Sequence, residues 1–117
     1  IPYWDYDAPV TEETPRDASA AAVTASALIE LSTMVPDGQK YLDYAEKILK
    51  SLSSDAYLAK VGDNQGFILL HSVGSLPNGS EIDTPLNYAD YYYLEALKRF
   101  MELKKLRVEN GELRVIQ

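Results

Sequence analysis

The stretch Pro15-Arg16-Asp17-Ala18-Ser19-Ala20-Ala21-Ala22-Val23-Thr24-Ala25-Ser26-Ala27-Leu28-Ile29-Glu30-Leu31 decides the fold. Asp17 can cap a helix, because its side chain accepts hydrogen bonds from free backbone amides and Pro15 keeps the preceding chain out of the helix. From Ala18 to Ala27 no side chain is larger than valine, and alanine is the strongest helix former. Such a thin helix lets other helices come close, so we predict an inner helix surrounded on most of its circumference. The alternative is an ordinary alanine-rich surface helix.

Two more stretches predict helices. From about residue 40 to residue 53, an apolar stripe runs opposite a charged face, which is typical of an outer helix. The turn before it is short and contains Pro36 and Gly38, so the first two helices should form an antiparallel hairpin. The third helix is predicted to start at Thr84 as the capping residue and to end near residue 105.

The remaining segments divide the chain. The apolar run at residues 67–71 is too short for a helix and predicts extended backbone. The tail, residues 106–117, alternates around Asn110-Gly111 and predicts a β-hairpin. We therefore separate a helical part, residues 1–105, from this tail. Three long helices, one of which needs neighbours all round, do not close a core, so the sequence predicts an all-α fold that completes a larger ring of helices.

The composition excludes several classes of function. The chain has 117 residues, a net charge of −7 and no cluster of lysine and arginine, which argues against nucleic acid and anionic membranes as partners. No apolar run approaches the ~20 residues of a membrane span. There is no cysteine and only one histidine, so we predict no metal site and no cofactor.

Four blocks of sequence carry a family resemblance. In order, and with the family's spacing over about residues 1–105, they resemble the C-terminal part of glycoside hydrolase family 88, the unsaturated glucuronyl hydrolases of bacteria. The resemblance implies an α/α barrel of six helical hairpins with the active site at one mouth. The partner of this chain would then be the N-terminal part of the same barrel. The blocks are Trp4-Asp5-Tyr6-Asp7-Ala8-Pro9, Pro15-Arg16-Asp17-Ala18-Ser19-Ala20-Ala21-Ala22, Gly66-Phe67-Ile68-Leu69-Leu70-His71-Ser72-Val73-Gly74 and Tyr88-Ala89-Asp90-Tyr91-Tyr92-Tyr93-Leu94-Glu95-Ala96-Leu97.

The resemblance also implies a reaction. A lyase leaves glycosaminoglycan oligosaccharides that carry a C4=C5 unsaturated uronic acid at the non-reducing end. A family aspartate donates a proton to this double bond and activates the water that adds at C5. The hemiketal then opens and the glycosidic link is lost. The two catalytic aspartates of the family lie in earlier helices, and no residue here matches them, so we assign no catalytic residue and expect this chain alone to be inactive.

Candidate substrate contacts follow from the same resemblance. In several relatives, the loop after the His-Ser-Val block presents a Ser-x-x-Ser-x-Lys pattern to a sulfate on the second sugar. Here Gly74 leads into Ser75, Asn78 and Ser80, so the cation is absent and we expect a weaker preference for 6-sulfated substrates.

Other residues have a structural interpretation beside the functional one. Trp4 and Asp5 either form a sugar platform or anchor the first loop. Asp17 caps the helix or contacts the cleft, and Asp90 reaches the cleft mouth or bonds backbone. We interpret His71 as structural.

The sequence is also compatible with two other functions. The first is a non-catalytic helical interaction module, although no repeat of 30–45 residues is present. The second is a related α/α-barrel hydrolase for unsaturated rhamnogalacturonan products. The compartment, bacterial cytoplasm or periplasm, stays undetermined.

Overall fold

The computed structural model describes residues 1–109, which contain three α-helices. They are α1 (Ala18–Ser32), α2 (Gln39–Leu52) and α3 (Asn87–Glu109), with one 3₁₀ turn, Asn64–Gly66, between α2 and α3. Helix α1 packs extensively against both other helices, whereas α2 and α3 barely touch each other. The all-α prediction is therefore confirmed, and α1 is the central element of the described residues.

Small side chains make the close approach of the helices possible. The buried face of α1 consists mainly of alanine, and α3 brings two more fully buried alanines against it. Helix α2 supplies the larger volume in the form of leucine. The core residues of the three helices are Ala18, Ala21, Ala22, Ala25, Ile29, Leu42, Ala45, Leu49, Leu52, Ala89, Tyr93 and Ala96.

The opposite face of α1 is open within residues 1–109. Val23 is 41% exposed, and Thr24, Ala27 and Glu30 are exposed as well. The predicted enclosure of α1 is thus observed on the side of α2 and α3, and the other side has no cover in the described part of the chain.

The bounds of the third helix differ from the prediction. Thr84 does not cap it, because the backbone of Thr84 pairs with that of Ser72, and the helix begins at Asn87. The helix also continues to Glu109, so residues 106–109 are helical instead of forming the first arm of the predicted hairpin. The Asn110-Gly111 turn and the rest of that hairpin lie outside the described residues. Residues 106–109 are more stable as helix than as a hairpin arm, because each residue added to a helix makes one more backbone hydrogen bond.

The segment between α2 and α3 is irregular, and its β-pairings are isolated bridges. Leu69 is fully buried and pairs with Leu58, as the prediction of extended backbone requires. At His71, the last residue of the predicted run 67–71, the prediction is wrong, because its backbone has a positive φ of 63°. Ser72 pairs with Thr84, which closes a hairpin-like lobe, residues 72–84. No helix of the described residues is both long and apolar enough to cross a membrane.

Candidate functional site

Two loops are fixed at the N-terminal end of α1. The first loop is held because the Asp17 amide donates to the Pro2 carbonyl at 2.9 Å. The lobe of residues 72–84 is held because the Ala18 amide donates to the His71 carbonyl at 2.9 Å and the Val73 amide donates to Asp17 Oδ1 at 3.2 Å. This end of α1 therefore gathers the segments that carry most of the predicted substrate contacts.

The predicted sulfate-loop residues form one turn at the tip of this lobe. Ser75 and Ser80 exchange both backbone hydrogen bonds at 3.1 Å, and the Asn78 amide donates to Ser75 Oγ at 2.8 Å. Gly74 enters the turn and donates its amide to the Glu81 carbonyl at 2.7 Å. The structure thus brings Gly74, Ser75, Asn78 and Ser80 together. We call residues 74–80 the polar turn.

Glu81 lies over the base of the polar turn. A Cβ at Gly74 would lie 2.7 Å from Glu81 side-chain atoms, so only glycine leaves room for this side chain without a shift. The sequence from Val61 to Leu97 contains acidic residues but neither lysine nor arginine. The polar turn therefore offers uncharged donors and acceptors with a carboxylate beside them, and this stretch supplies no lysine or arginine for a sulfate.

The only histidine of the chain forms an exposed pair on this lobe. His71 Nδ1 lies 2.6 Å from Asp83 Oδ1, and the imidazole meets the Tyr57 ring edge-on at a centroid distance of 5.9 Å. The backbones of His71 and Asp83 both have positive φ, at 63° and 48°. Such a conformation is uncommon for residues other than glycine, although Asp and His adopt it more readily than most. The pair therefore stabilises an unusual backbone at the lobe's base.

Tyr88 lies on the first turn of α3, near the carboxylates of Glu81 and Asp17. Burial raises the pKa of the Tyr88 hydroxyl, the charges of Glu81 and Asp17 raise the pKa further, and a hydrogen bond with Ser19 opposes them. The raised pKa keeps the Tyr88 hydroxyl neutral near pH 7, and the residue is 42% exposed. It is an additional hydrogen-bonding group near Glu81, the residue over the base of the polar turn.

Trp4 and Asp5 lie on the first loop, where their hydrogen bonds are local. The Trp4 amide donates to the Pro15 carbonyl at 3.0 Å, and Trp4 is half-buried. Asp5 is exposed, and its Oδ1 accepts from the Asp7 amide at 2.8 Å. Within residues 1–109 no hydrogen bond joins either residue to the polar turn. Their role as substrate contacts stays a prediction.

Asp90 has a backbone-binding role. Its two carboxylate oxygens accept from the consecutive amides of Ile68 and Leu69, each at 2.9 Å. Both oxygens thus bond the segment before the lobe, so Asp90 helps to hold the lobe, and its role as a substrate contact stays a prediction. The sequence suggested a backbone bond near the start of the helix, but the partners lie about twenty residues away.

Besides the partners of Asp90, sequence reasoning missed two contacts of the site. It identified Asp17 as a helix cap, which the 3.0 Å bond from the Ser19 amide confirms, but not its bond to Val73. It also missed Asp83 as the partner of His71. Neither contact leaves a local signal, because the partners are 56 and 12 residues apart. Within residues 1–109 no group of three or more His, Asp or Glu side chains is arranged to hold a metal ion.

Comparisons with known proteins show which proteins the chain is similar to. No family profile matches it. An unsaturated glucuronyl hydrolase of Formosa agariphila is 52% identical over 88% of this chain and 26% of its own length. A crystal structure of an unsaturated glucuronyl hydrolase specific for heparin is 70% identical, with a TM-score of 0.87 over 90% of this chain and 28% of the other. A mutant of the Streptococcus agalactiae enzyme, complexed with dGlcA-GalNAc6S, is 33% identical with a TM-score of 0.77, over 86% of this chain and 27% of its own.

These likenesses define the class of fold first: the chain folds like one part of an α/α-barrel glycoside hydrolase. More narrowly, the chain belongs to the unsaturated glucuronyl hydrolase family, as its sequence blocks suggested. It spans about a quarter of the length of the relatives that it matches.

Proposed function

We propose that the protein containing this chain is an unsaturated glucuronyl hydrolase. It hydrates the C4=C5 double bond of the terminal uronic acid in lyase-generated glycosaminoglycan oligosaccharides. The observation that carries this proposal is the 52% identity to an unsaturated glucuronyl hydrolase over 88% of the chain. We assign residues 1–105 to the barrel and treat residues 106–117 as a tail.

In this proposal the chain forms part of the cleft wall. The polar turn contacts the second sugar through the Ser75 and Ser80 hydroxyls and the Asn78 amide, and Trp4 and Asp5 contact substrate from the first loop. The proton donor for the double bond comes from the N-terminal part of the barrel. The 117-residue chain alone is therefore expected to be inactive.

We further propose that the second sugar is of glucosamine type, as in heparin, and lacks a sulfate at the polar turn. The heparin-specific relative is 70% identical to this chain, whereas the enzyme bound to dGlcA-GalNAc6S is 33% identical. Uncharged groups on the polar turn also bind a sulfate less strongly than a lysine does, since charge-assisted hydrogen bonds are about twice as strong as neutral ones.

The test uses the full-length protein and unsaturated disaccharides from heparin and chondroitin, each with and without a 6-sulfate. Loss of the alkene absorbance measures turnover. We expect faster turnover of heparin disaccharides and no gain from the 6-sulfate. The matched variant Ser80→Lys should raise the relative rate on 6-sulfated substrate roughly tenfold, which is the scale of one hydrogen bond to a charged group.

Each outcome has a separate meaning. Failure of the full-length protein to turn over any unsaturated disaccharide overturns the proposed function. Activity with a strong 6-sulfate preference overturns only the substrate proposal. Turnover by the isolated 117-residue chain contradicts the assignment of catalysis to the rest of the barrel.

The two other functions are less favoured. An interaction module built as an open superhelix does not account for the identity to hydrolases over most of the chain. A rhamnogalacturonan-product hydrolase is disfavoured because the relatives described above are named as glucuronyl hydrolases.

A further inference from the structure

The Asp17 carboxylate does more than cap α1. Its Oδ1 atom accepts from the Ser19 amide at 3.0 Å, from the Ser19 hydroxyl at 2.6 Å and from the Val73 amide at 3.2 Å. A helix cap requires only the first of these bonds. The third bond leaves the helix and reaches the lobe of residues 72–84.

The backbone bonding of the lobe gives this third bond its importance. The Ser72 amide donates to Thr84 and the Gly74 amide donates to Glu81, so both bonds stay inside the lobe. The amide between them, that of Val73, is the one directed to α1. Together with the bond from the Ala18 amide to the His71 carbonyl, it attaches the lobe to the end of α1.

The attachment lies next to the polar turn. Val73 is 8% exposed and precedes Gly74, the residue that enters the turn. A buried amide without an acceptor is costly, so loss of the Asp17 bond favours a shift of the chain at Val73. Because the turn begins one residue later, the shift displaces the Ser75 hydroxyl and the Asn78 amide.

We propose that Asp17 is a positioning residue, whose carboxylate holds the Val73 amide and thereby fixes the polar turn against the second sugar. This inference rests on the proposed function, in which the polar turn contacts substrate. The turn contains no catalytic residue, so its contacts should stabilise the bound substrate and the transition state equally. Displacing it should raise KM and leave kcat unchanged.

The test separates capping from positioning in the full-length enzyme. Serine caps a helix about as well as aspartate, but its shorter side chain should not reach the Val73 amide, so Asp17→Ser keeps the cap and loses the attachment. We expect KM for the unsaturated disaccharide to rise roughly tenfold, on the scale of a lost hydrogen bond to a charged group, with kcat within about twofold. Asp17→Asn keeps a cap and an acceptor at the same reach and should restore most of the affinity.

Ser19→Ala is the matched control, because it removes a neighbouring bond to the same oxygen and leaves the one to Val73. It should keep the wild-type KM. The proposal is overturned if Asp17→Ser keeps the wild-type KM, if kcat falls at constant KM, or if Asp17→Asn is as impaired as Asp17→Ser.

Hydrogen exchange at the Val73 amide gives a readout that does not need activity. Protection should be lost in Asp17→Ser and retained in Asp17→Asn and Ser19→Ala. If the wild-type enzyme does not turn over the disaccharide, the proposed function fails, while this exchange result still decides whether Asp17 holds Val73. Unchanged protection in Asp17→Ser contradicts the attachment itself.

Discussion

Helix α1 and the segment between α2 and α3 satisfy their backbone groups by different means. Beyond its first residues, α1 bonds its amides within the helix, and short side chains let α2 and α3 come close. In the connecting segment, several amides depend on distant carboxylates: Ile68 and Leu69 on Asp90, and Val73 on Asp17. The helix should therefore be sensitive to added volume, and the segment to the loss of a single acceptor.

Backbone conformation sharpens this contrast. Within residues 1–109, five residues other than glycine have positive φ, between 48° and 63°, and all lie in the connecting segment: Asn64, Gln65, His71, Glu81 and Asp83. Residues in such conformations cost on the order of 1–3 kcal/mol each and persist only when their surroundings hold them. The bonds from Leu69 to Asp90 and from Val73 to Asp17 hold the backbone on either side of His71.

The largest expected effect is that of Asp90→Ala, which removes the acceptor of two amides at once. Each orphaned amide costs about 1–3 kcal/mol where water does not replace the carboxylate. We expect a large decrease in the free energy of unfolding and a loss of exchange protection at Ile68 and Leu69. Denaturant unfolding and hydrogen exchange of the full-length protein measure both. The control is Asp90→Asn, which keeps one acceptor oxygen and should lose less. If both amides stay protected in Asp90→Ala, the segment does not depend on this carboxylate.

The next effect tests the volume argument on α1. Ala22 is fully buried, so Ala22→Leu should cost about 1–3 kcal/mol through overpacking. Ala27 lies on the face of α1 that is open within residues 1–109. If the rest of the barrel covers that face, Ala27→Leu in the full-length protein should cost about as much. Thermal unfolding of both variants decides the point, and a change within about 0.5 kcal/mol for Ala27→Leu would indicate a surface helix instead.

The smallest expected effect concerns a hydrogen bond between α1 and the carboxylate of Glu95 on α3. A hydrogen bond from the Ser26 hydroxyl, at 2.6 Å, lowers the pKa of the Glu95 carboxyl, and the charge of Arg99 lowers the pKa further. The ionised form therefore stabilises the fold. This contribution is complete above the ordinary glutamate pKa and is lost as the pH falls through the lowered one.

Glu95→Gln tests this contribution. The variant should have a smaller decrease in stability than the wild type between about pH 6 and about pH 3, the range in which carboxyl groups titrate. Unfolding curves measured across that range give the result. Ser26→Ala removes the principal cause of the shift and should reduce the pH dependence in the same direction. An unchanged pH profile in both variants would contradict a role for the carboxylate in stability.

The helical elements were largely predictable because their causes are local. The alanine run and the Asp17 cap predicted α1, and the amphipathic stripe predicted α2 to within about one residue. The start of α3 was wrong because Thr84 pairs with Ser72, and a pairing partner outweighs a local capping preference. The hairpin prediction for residues 106–109 was wrong as well, since α3 continues through them to Glu109.

The sequence by itself determined the three helices, the thin core of α1 and the family, because helix propensity, small volume and spaced motifs are properties of neighbouring residues. Tertiary structure alone decided which groups hold the polar turn. The bonds from Val73 to Asp17 and from Ile68 and Leu69 to Asp90 join residues 56, 22 and 21 positions apart. Aspartate can cap a helix, bond backbone or bind a ligand equally well, so its role depends on which amides the fold brings within about 3 Å.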